Sequence, residues 1–123
     1  MSPTGTHTGK QGEELAAAYL VAAGFRIVER NYRCRFGEID IVAEEGGTLV
    51  FVEVKSRRTA AYGGPLVAVD ARKQGKISRI SLHYLTEKNL RHRPARFDVV
   101  AVMLLPSGQR IELIRDAFEL ACG

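Results

Sequence analysis

The chain has no tryptophan, and its aromatic residues amount to only 7% of 123 positions. A platform that stacks successive bases of a single strand is therefore disfavoured. Cysteine is as scarce: Cys34 and Cys122 are the only two, too few for a disulfide framework and without metal-ligand spacing. A reduced, cytoplasmic protein is the expectation. No apolar run approaches the roughly 20 residues of a membrane-spanning helix, so no membrane partner is expected. The opening Met1-Ser2-Pro3-Thr4-Gly5-Thr6-His7-Thr8 lacks the hydrophobic stretch of a secretory signal. It reads as a disordered tail over residues 1–8, before a single domain over 9–123. His7, His83 and His92 are scattered. No Ser/His/Asp or Cys/His arrangement, phosphate-binding loop or internal repeat is readable.

What is present is an ordinary globular composition with a basic balance. Hydrophobic residues make up 46%, and 18 Lys and Arg against 14 Asp and Glu give a net charge of +4. That charge permits nucleic-acid binding without demanding it. The most informative stretch is Gly37-Glu38-Ile39-Asp40-Ile41-Val42 followed by Thr48-Leu49-Val50-Phe51-Val52-Glu53-Val54-Lys55. Both runs alternate and are rich in β-branched residues, and Gly46-Gly47 between them suits a tight hairpin. If residue 45 faces 48, then Asp40 faces Glu53 and Glu38 faces Lys55. Opposed carboxylates repel and destabilise a plain sheet. A divalent cation held by hard carboxylate oxygens would remove that penalty. Glu53 and Lys55 share a face by strand alternation, so a short hairpin gathers two acids and an ammonium. The plainer reading is an exposed face carrying ordinary salt bridges. Phe51, on the face of Glu53, and the direct opposition of two acids weigh against it.

Around the hairpin, the periodicity predicts a first helix over 9–23, with an apolar stripe of Leu15, Ala18, Tyr19 and Ala22. Glu13 and Glu14 in its first turn favour the helix dipole. A strand is expected over 25–32. Arg26, Arg30, Arg33 and Arg35 crowd that strand and its turn, as a solvated edge or as phosphate contacts. Arg57 and Arg58 directly follow Lys55 and are candidate phosphate contacts. Residues 56–69 lack periodicity and read as a mobile, substrate-contacting loop. Asp70 reads as the N-cap of a second helix over 71–88, with Ile77, Ile80, Tyr84 and Leu85 as its apolar stripe. Arg72, Lys76 and Arg79 form a separate basic row, poor for helix stability and apt for phosphate, although a solvated face is the default. A strongly apolar, central strand follows over 96–105, with Asp98 inside it more apt to pair with an arginine than to catalyse. An edge strand over 110–115 and a loosely packed tail at 117–120 close the chain.

Five words in order carry a resemblance: Gly12-Glu13-Glu14, Asn31-Tyr32-Arg33, Gly37-Glu38-Ile39-Asp40, Phe51-Val52-Glu53-Val54-Lys55 and Arg96-Phe97-Asp98-Val99-Val100. Together they resemble the small bacterial YraN-like family, within the PD-(D/E)xK nuclease superfamily and similar to archaeal Holliday-junction resolvases. The resemblance implies a restriction-endonuclease-like α/β fold: a mixed central sheet flanked by helices, in the order αβββαββ. It implies a metal-dependent endonuclease acting on DNA, branched DNA included, as a homodimer. Asp40 and Glu53 would hold Mg²⁺ or Mn²⁺, with Glu13 and the Val54 carbonyl in support and Lys55 serving the chemical step. It also points to Lys73 as the basic residue of the second helix near the site, a candidate nucleic-acid contact, although a capped surface lysine is an equal reading. The competing class is a nucleic-acid-binding or assembly module that keeps the fold and does not cut.

Overall fold

The structure, a computed structural model, describes residues 3–57 and 71–118. Its elements are α1 (Pro3–Ala22), β1 (Arg26–Cys34), β2 (Gly37–Glu45), β3 (Thr48–Arg57), α2 (Ala71–Glu87), β4 (Ala95–Leu105) and β5 (Gly108–Phe118). This is the expected α/β order αβββαββ. Arg58, the Asp70 cap, Cys122 and the 56–69 loop from residue 58 onward lie outside the described residues.

The five strands form one mixed sheet in chain order; β3 and β4 run parallel and every other neighbouring pair is antiparallel. A parallel pair needs a crossover rather than a hairpin, and α2 is the helix lying between β3 and β4 in the chain. Leu49 to Val52 on β3 and Phe97 to Met103 on β4 are buried without a break. Strands covered on both faces have that pattern. α1 packs over β1, β3 and β4, whereas α2 packs over β2. Two apolar layers result. Ala16, Leu20, Val50, Val52 and Val100 belong to the layer beneath α1, and Phe51, Ile77, Ile80, Tyr84 and Phe97 to the layer beneath α2.

The buried face of α1 differs from the expected stripe. Gly12, Ala16 and Leu20 are buried, whereas Ala18, Tyr19 and Ala22 are exposed. Small residues win because the helix sits so close to the sheet. A Cβ added at Gly12 would come within 1.8 Å of Ser56 Oγ and 3.0 Å of Ser56 Cβ on β3. α1 also begins before the expected Gly9, at Pro3. The expected loose tail is likewise corrected. β5 continues to Phe118, whose ring stacks on Phe97 at 4.6 Å and is buried in the layer beneath α2.

The hairpin has the expected register over part of its length. Cα partners run from Glu45↔Thr48 to Ile41↔Val52, and Gly46 and Gly47 both take positive φ, 58° and 88°, as a type I′ turn requires. The β2–β3 ladder ends at Ile41↔Val52. Beyond it β2 keeps its pairing with β1, through Arg33↔Glu38 and Cys34↔Gly37, while β3 keeps its pairing with β4, from Glu53↔Val99 to Arg57↔Met103. The sheet therefore forks between β2 and β3. The expected pairs Asp40–Glu53 and Glu38–Lys55 fall past the last rung, so Lys55 is partnered by Ala101 and Glu38 by Arg33.

Candidate active site

Asp40 stands at the crotch of the fork. Its Oδ2 accepts the Val54 N–H at 2.8 Å, bridging the strands with a side chain where the backbone ladder stops. Burial pushes the Asp40 carboxyl from an ordinary 3.8 up to about 7; the Val54 hydrogen bond opposes that rise, and the carboxylates of Glu53, Glu13 and Glu38 add to it. Desolvation and like charge both disfavour the ionised form, so the surroundings of this acid call for positive charge.

Glu53 comes from the β3 side of the fork, with its side chain only 14% exposed, and Lys73 at the start of α2 places Nζ 2.5 Å from its Oε2. Lys55, half-buried, lies two residues further along β3. On the other side of the fork, Asn31 donates from Nδ2 to Glu13 Oε1 at 3.1 Å and to Glu38 Oε2 at 2.9 Å. Asn31 has a φ of 54°, a left-handed conformation that asparagine tolerates better than most residues. Its amide thereby ties α1 to β2, and the short distance between Gly12 and Ser56 sets Glu13 against the sheet. Lys10, Glu13, Arg30, Asn31, Arg33 and Glu38 line a shallow groove along this side.

The other expected residues divide into three groups. Arg33, near the end of β1, lies 3.5 Å from Glu38, and in the turn between β1 and β2 the Arg35 guanidinium covers the Phe36 ring at 5.0 Å. Arg72, Lys76 and Arg79 are exposed on α2, and the Lys76 stem lies over the turn, where a Cβ added at Gly37 would meet its Cε at 2.7 Å. The basic start of α2 and the basic turn thus flank the fork together. Arg57 ends β3, half-buried, and Glu14 turns away to pair with Arg30 at 3.2 Å. Val54 enters the site through its N–H.

Asp98 is not at the fork. It is 1% exposed, accepts Arg96 Nε at 3.0 Å and Nη2 at 3.1 Å, and takes the Asp116 N–H at 2.9 Å. That agrees with the expected arginine pairing. It also holds the register shift of the β4–β5 ladder between Phe97 and Val99, where Asp116 has a φ of 56°.

Sequence reasoning overlooked Asn31 as a member of the site, and placed Glu38 opposite Lys55 without giving it a role. Both sit inside the words that carry the resemblance, but neither type nor spacing distinguishes a bridging amide from a turn residue. An asparagine breaking a strand pattern was the available signal. As for a metal, Asp40 and Glu53 offer hard oxygens from both arms of the fork. Among the described residues no group of three or more His, Cys, Asp or Glu side chains is gathered closely enough to hold an ion unaided.

Comparison with known proteins places this architecture in a family. The sequence model described as "Uncharacterised protein family UPF0102" matches residues 12–102. A UPF0102 protein of Syntrophus aciditrophicus is 66% identical over 94% of this chain and 91% of its own length. A second, from Geobacter sulfurreducens, is 57% identical over 92% of this chain and 89% of its own. Among solved structures, that of Pyrococcus furiosus SfsA in complex with Ca²⁺ overlays with a TM-score of 0.42 at 14% identity. That overlay spans 89% of this chain and 63% of that one, a likeness too loose to extend to function.

Proposed function

The chain belongs to the uncharacterised protein family UPF0102, and from the fork of its sheet we propose that it is a metal-dependent endonuclease that hydrolyses phosphodiester bonds of DNA. The observation that carries this reading is Asp40: a half-buried carboxylate, tied to Val54 across the fork and facing the charge of three glutamates. Ionised, a carboxylate so placed costs the fold stability. A divalent cation is the partner its chemistry asks for, since Mg²⁺ and Mn²⁺ take carboxylate oxygens and retain waters. Asp40 and Glu53 would hold the ion, with Glu13 and the Val54 carbonyl in support. Such an ion supplies polarisation of the phosphodiester and a bound water of lowered pKa.

The remaining roles fall to the chain's own groups. Lys55 stabilises the negative charge that develops on the phosphoryl oxygens during attack, and needs no change in its own protonation to do so. Asn31 fixes the Glu13 and Glu38 carboxylates relative to each other. Arg57, Arg33, Arg35 and the row Arg72, Lys76 and Arg79 hold the phosphate backbone on either side of the fork, and Arg58, outside the described residues, is proposed as a further phosphate contact. The products are a 5′-phosphate and a 3′-hydroxyl, and a homodimer would set two forks across a branched substrate.

A panel of branched, linear and single-stranded DNA and RNA, incubated with Mg²⁺, Mn²⁺ or EDTA, tests the reading: cleavage that needs metal is expected, with branched DNA cut best. Duplex affinity should fall steeply with salt as counterions are released. Alanine at Arg72, Lys76 and Arg79 should flatten the log–log slope by about 0.9 for each phosphate that is no longer neutralised; an unchanged slope returns the row to a solvated face. One observation favours a second reading, a binding or assembly module that does not cut. Glu53 already has a counter-charge in Lys73, so the site can exist without an ion. Salt-sensitive DNA binding with no cleavage of any substrate would select that reading.

A further inference from the structure

Lys73 was expected to meet phosphate, yet its ammonium lies against Glu53, one of the two acids from opposite arms of the fork. Glu53 is anchored on β3, which stays paired with β4 on to Arg57, and its side chain is only 14% exposed, so its carboxylate has little freedom to leave. Lys73 is different. It sits on the first turns of α2, its side chain is 47% exposed, and a lysine stem has four rotatable bonds. Of the two partners, the lysine is the one able to withdraw. Lys76 sits one turn later on α2 and lies over Gly37 instead, so the contact with Glu53 is particular to Lys73 and not general to the basic row.

We infer that Lys73 is a displaceable counter-cation. It neutralises Glu53 when no metal is bound, and a divalent ion must displace its ammonium from that carboxylate to enter the fork. The inference rests on the metal-dependent reading above and deepens it. Lys73 is a positioning residue that sets the affinity for metal, not a catalytic one. Two consequences follow from the geometry. Before an ion binds, the fork is spared two uncompensated carboxylates, and the displaced ammonium becomes a phosphate contact at the mouth of the fork. Because the pair is half-exposed, its strength is modest, so the ion competes with the lysine without being excluded by it.

Calorimetric titration of Mn²⁺ into the full chain, without nucleic acid, tests this on the parent, Lys73→Met, Lys73→Arg, Lys76→Met and Glu53→Ala. Lys73→Met is expected to bind Mn²⁺ about three- to tenfold more tightly than the parent, the range that loss of a partly exposed ion pair allows. Lys73→Arg, which keeps a cation against Glu53, should stay at or below the parent's affinity, and Lys76→Met should match the parent. Thermal unfolding of each variant confirms that it is folded; Lys73→Gln replaces Lys73→Met if the latter is not. Equal affinities for the parent and Lys73→Met overturn the inference alone. A gain with Lys76→Met as large as that with Lys73→Met also overturns it, since net charge would then be the cause. Binding to Lys73→Met but not to the parent supports it strongly. If nothing in the series binds Mn²⁺, the metal-dependent reading itself falls and takes this inference with it.

Discussion

β2 carries acids at both ends, and the two sets meet opposite surroundings. At the hairpin end, Arg93 and Arg26 hydrogen-bond to Glu44, and Arg115 and Arg96 do the same to Glu45. These contacts hold both carboxyls below the usual range, Glu45 down to about 2. Arg96 is shared with Asp98, and both Arg96 and Arg115 lie over the Phe25 ring. At the fork, Asp40 is raised to about 7, first by burial and then by its acidic neighbours. The acids that close the sheet have an arginine at hand. Those at the fork crowd around Asp40 and raise it, although Glu53 meets Lys73 and Glu38 has Arg33 at 3.5 Å. The first set is stabilised by its surroundings and the second is not; a perturbed carboxyl in a cleft is a recognised mark of a candidate functional site.

The comparison breaks most visibly through function. Lys55→Ala should lower the cleavage rate by about a hundredfold or more, the usual loss when one group stabilising transition-state charge is removed. Its Mn²⁺ affinity should hold or rise, because a cation has been taken from beside the site. Glu53→Ala should lose Mn²⁺ binding together with activity, since a coordinating oxygen goes too. Cleavage at saturating metal, beside calorimetry, reads both. Parental cutting by Lys55→Ala would show the mechanism to be wrong.

The hairpin end should respond through stability alone. Asp98→Ala leaves Arg96 half-buried with one acid fewer and orphans the Asp116 N–H, which should cost about 3–5 kcal/mol. Denaturant midpoints measure it, and Mn²⁺ binding at the fork should be unchanged in the folded fraction. A loss under about 1 kcal/mol, the scale of a surface pair, would mean that Asp98 does not anchor the β4–β5 ladder.

Asp40→Asn should move stability the other way. A carboxyl raised from 3.8 to about 7 binds its proton more tightly in the folded chain than in the unfolded one. Its contribution is therefore full below pH 3.8 and lost as pH rises through about 7. An asparagine keeps an acceptor for Val54 and removes the charge. In EDTA at about pH 8 the variant should be more stable by up to about 4 kcal/mol, and the advantage should vanish near pH 3.8. No gain in mild alkali would show that the fork does not destabilise its acid.

The smallest effect is expected from Glu45→Gln. With its folded pKa lowered from 4.5 to about 2, Glu45 stabilises the fold above pH 4.5 and loses that contribution as pH falls toward 2. The substitution should cost about 1 kcal/mol at neutral pH, as for a largely surface network, and nothing in strong acid. A cost that does not change with pH would point to lost packing rather than lost charge.

The two ends also differ in how well the sequence foretold them. The hairpin register was legible because two glycines and strict alternation leave one pairing that buries Val50 and Val52 together on one side. Asp98 was legible as an arginine partner because a buried acid in an apolar run needs one. The fork was not. Alternation continues along both β2 and β3 while the pairing partner changes, and a period of two carries no information about which neighbour a strand keeps. The face of α1 escaped the pattern for a related reason. Hydrophobic periodicity favours Tyr19 and Ala22 beside Leu15, and only Leu15 packs on the core; close approach selects Gly12 and Ala16, which contribute little to any apolar pattern. Phe118 reads as part of a loose tail because Asp116 interrupts the strand pattern; its left-handed φ of 56° absorbs the interruption and lets β5 resume.

Gly12 has a consequence for how this protein tolerates change. The gap between α1 and β3 has no slack: one added methyl would already meet Ser56. Glu13 is the next residue, so whatever lifts the helix also withdraws that carboxylate from Asn31 and from the fork. An alanine at position 12 would ordinarily favour a helix, and it leaves every charge in place. Here it would act as a spacer, widening a joint whose thickness is set by a single hydrogen. Variation should therefore be better accepted at the charged surface of this helix than at its smallest residue.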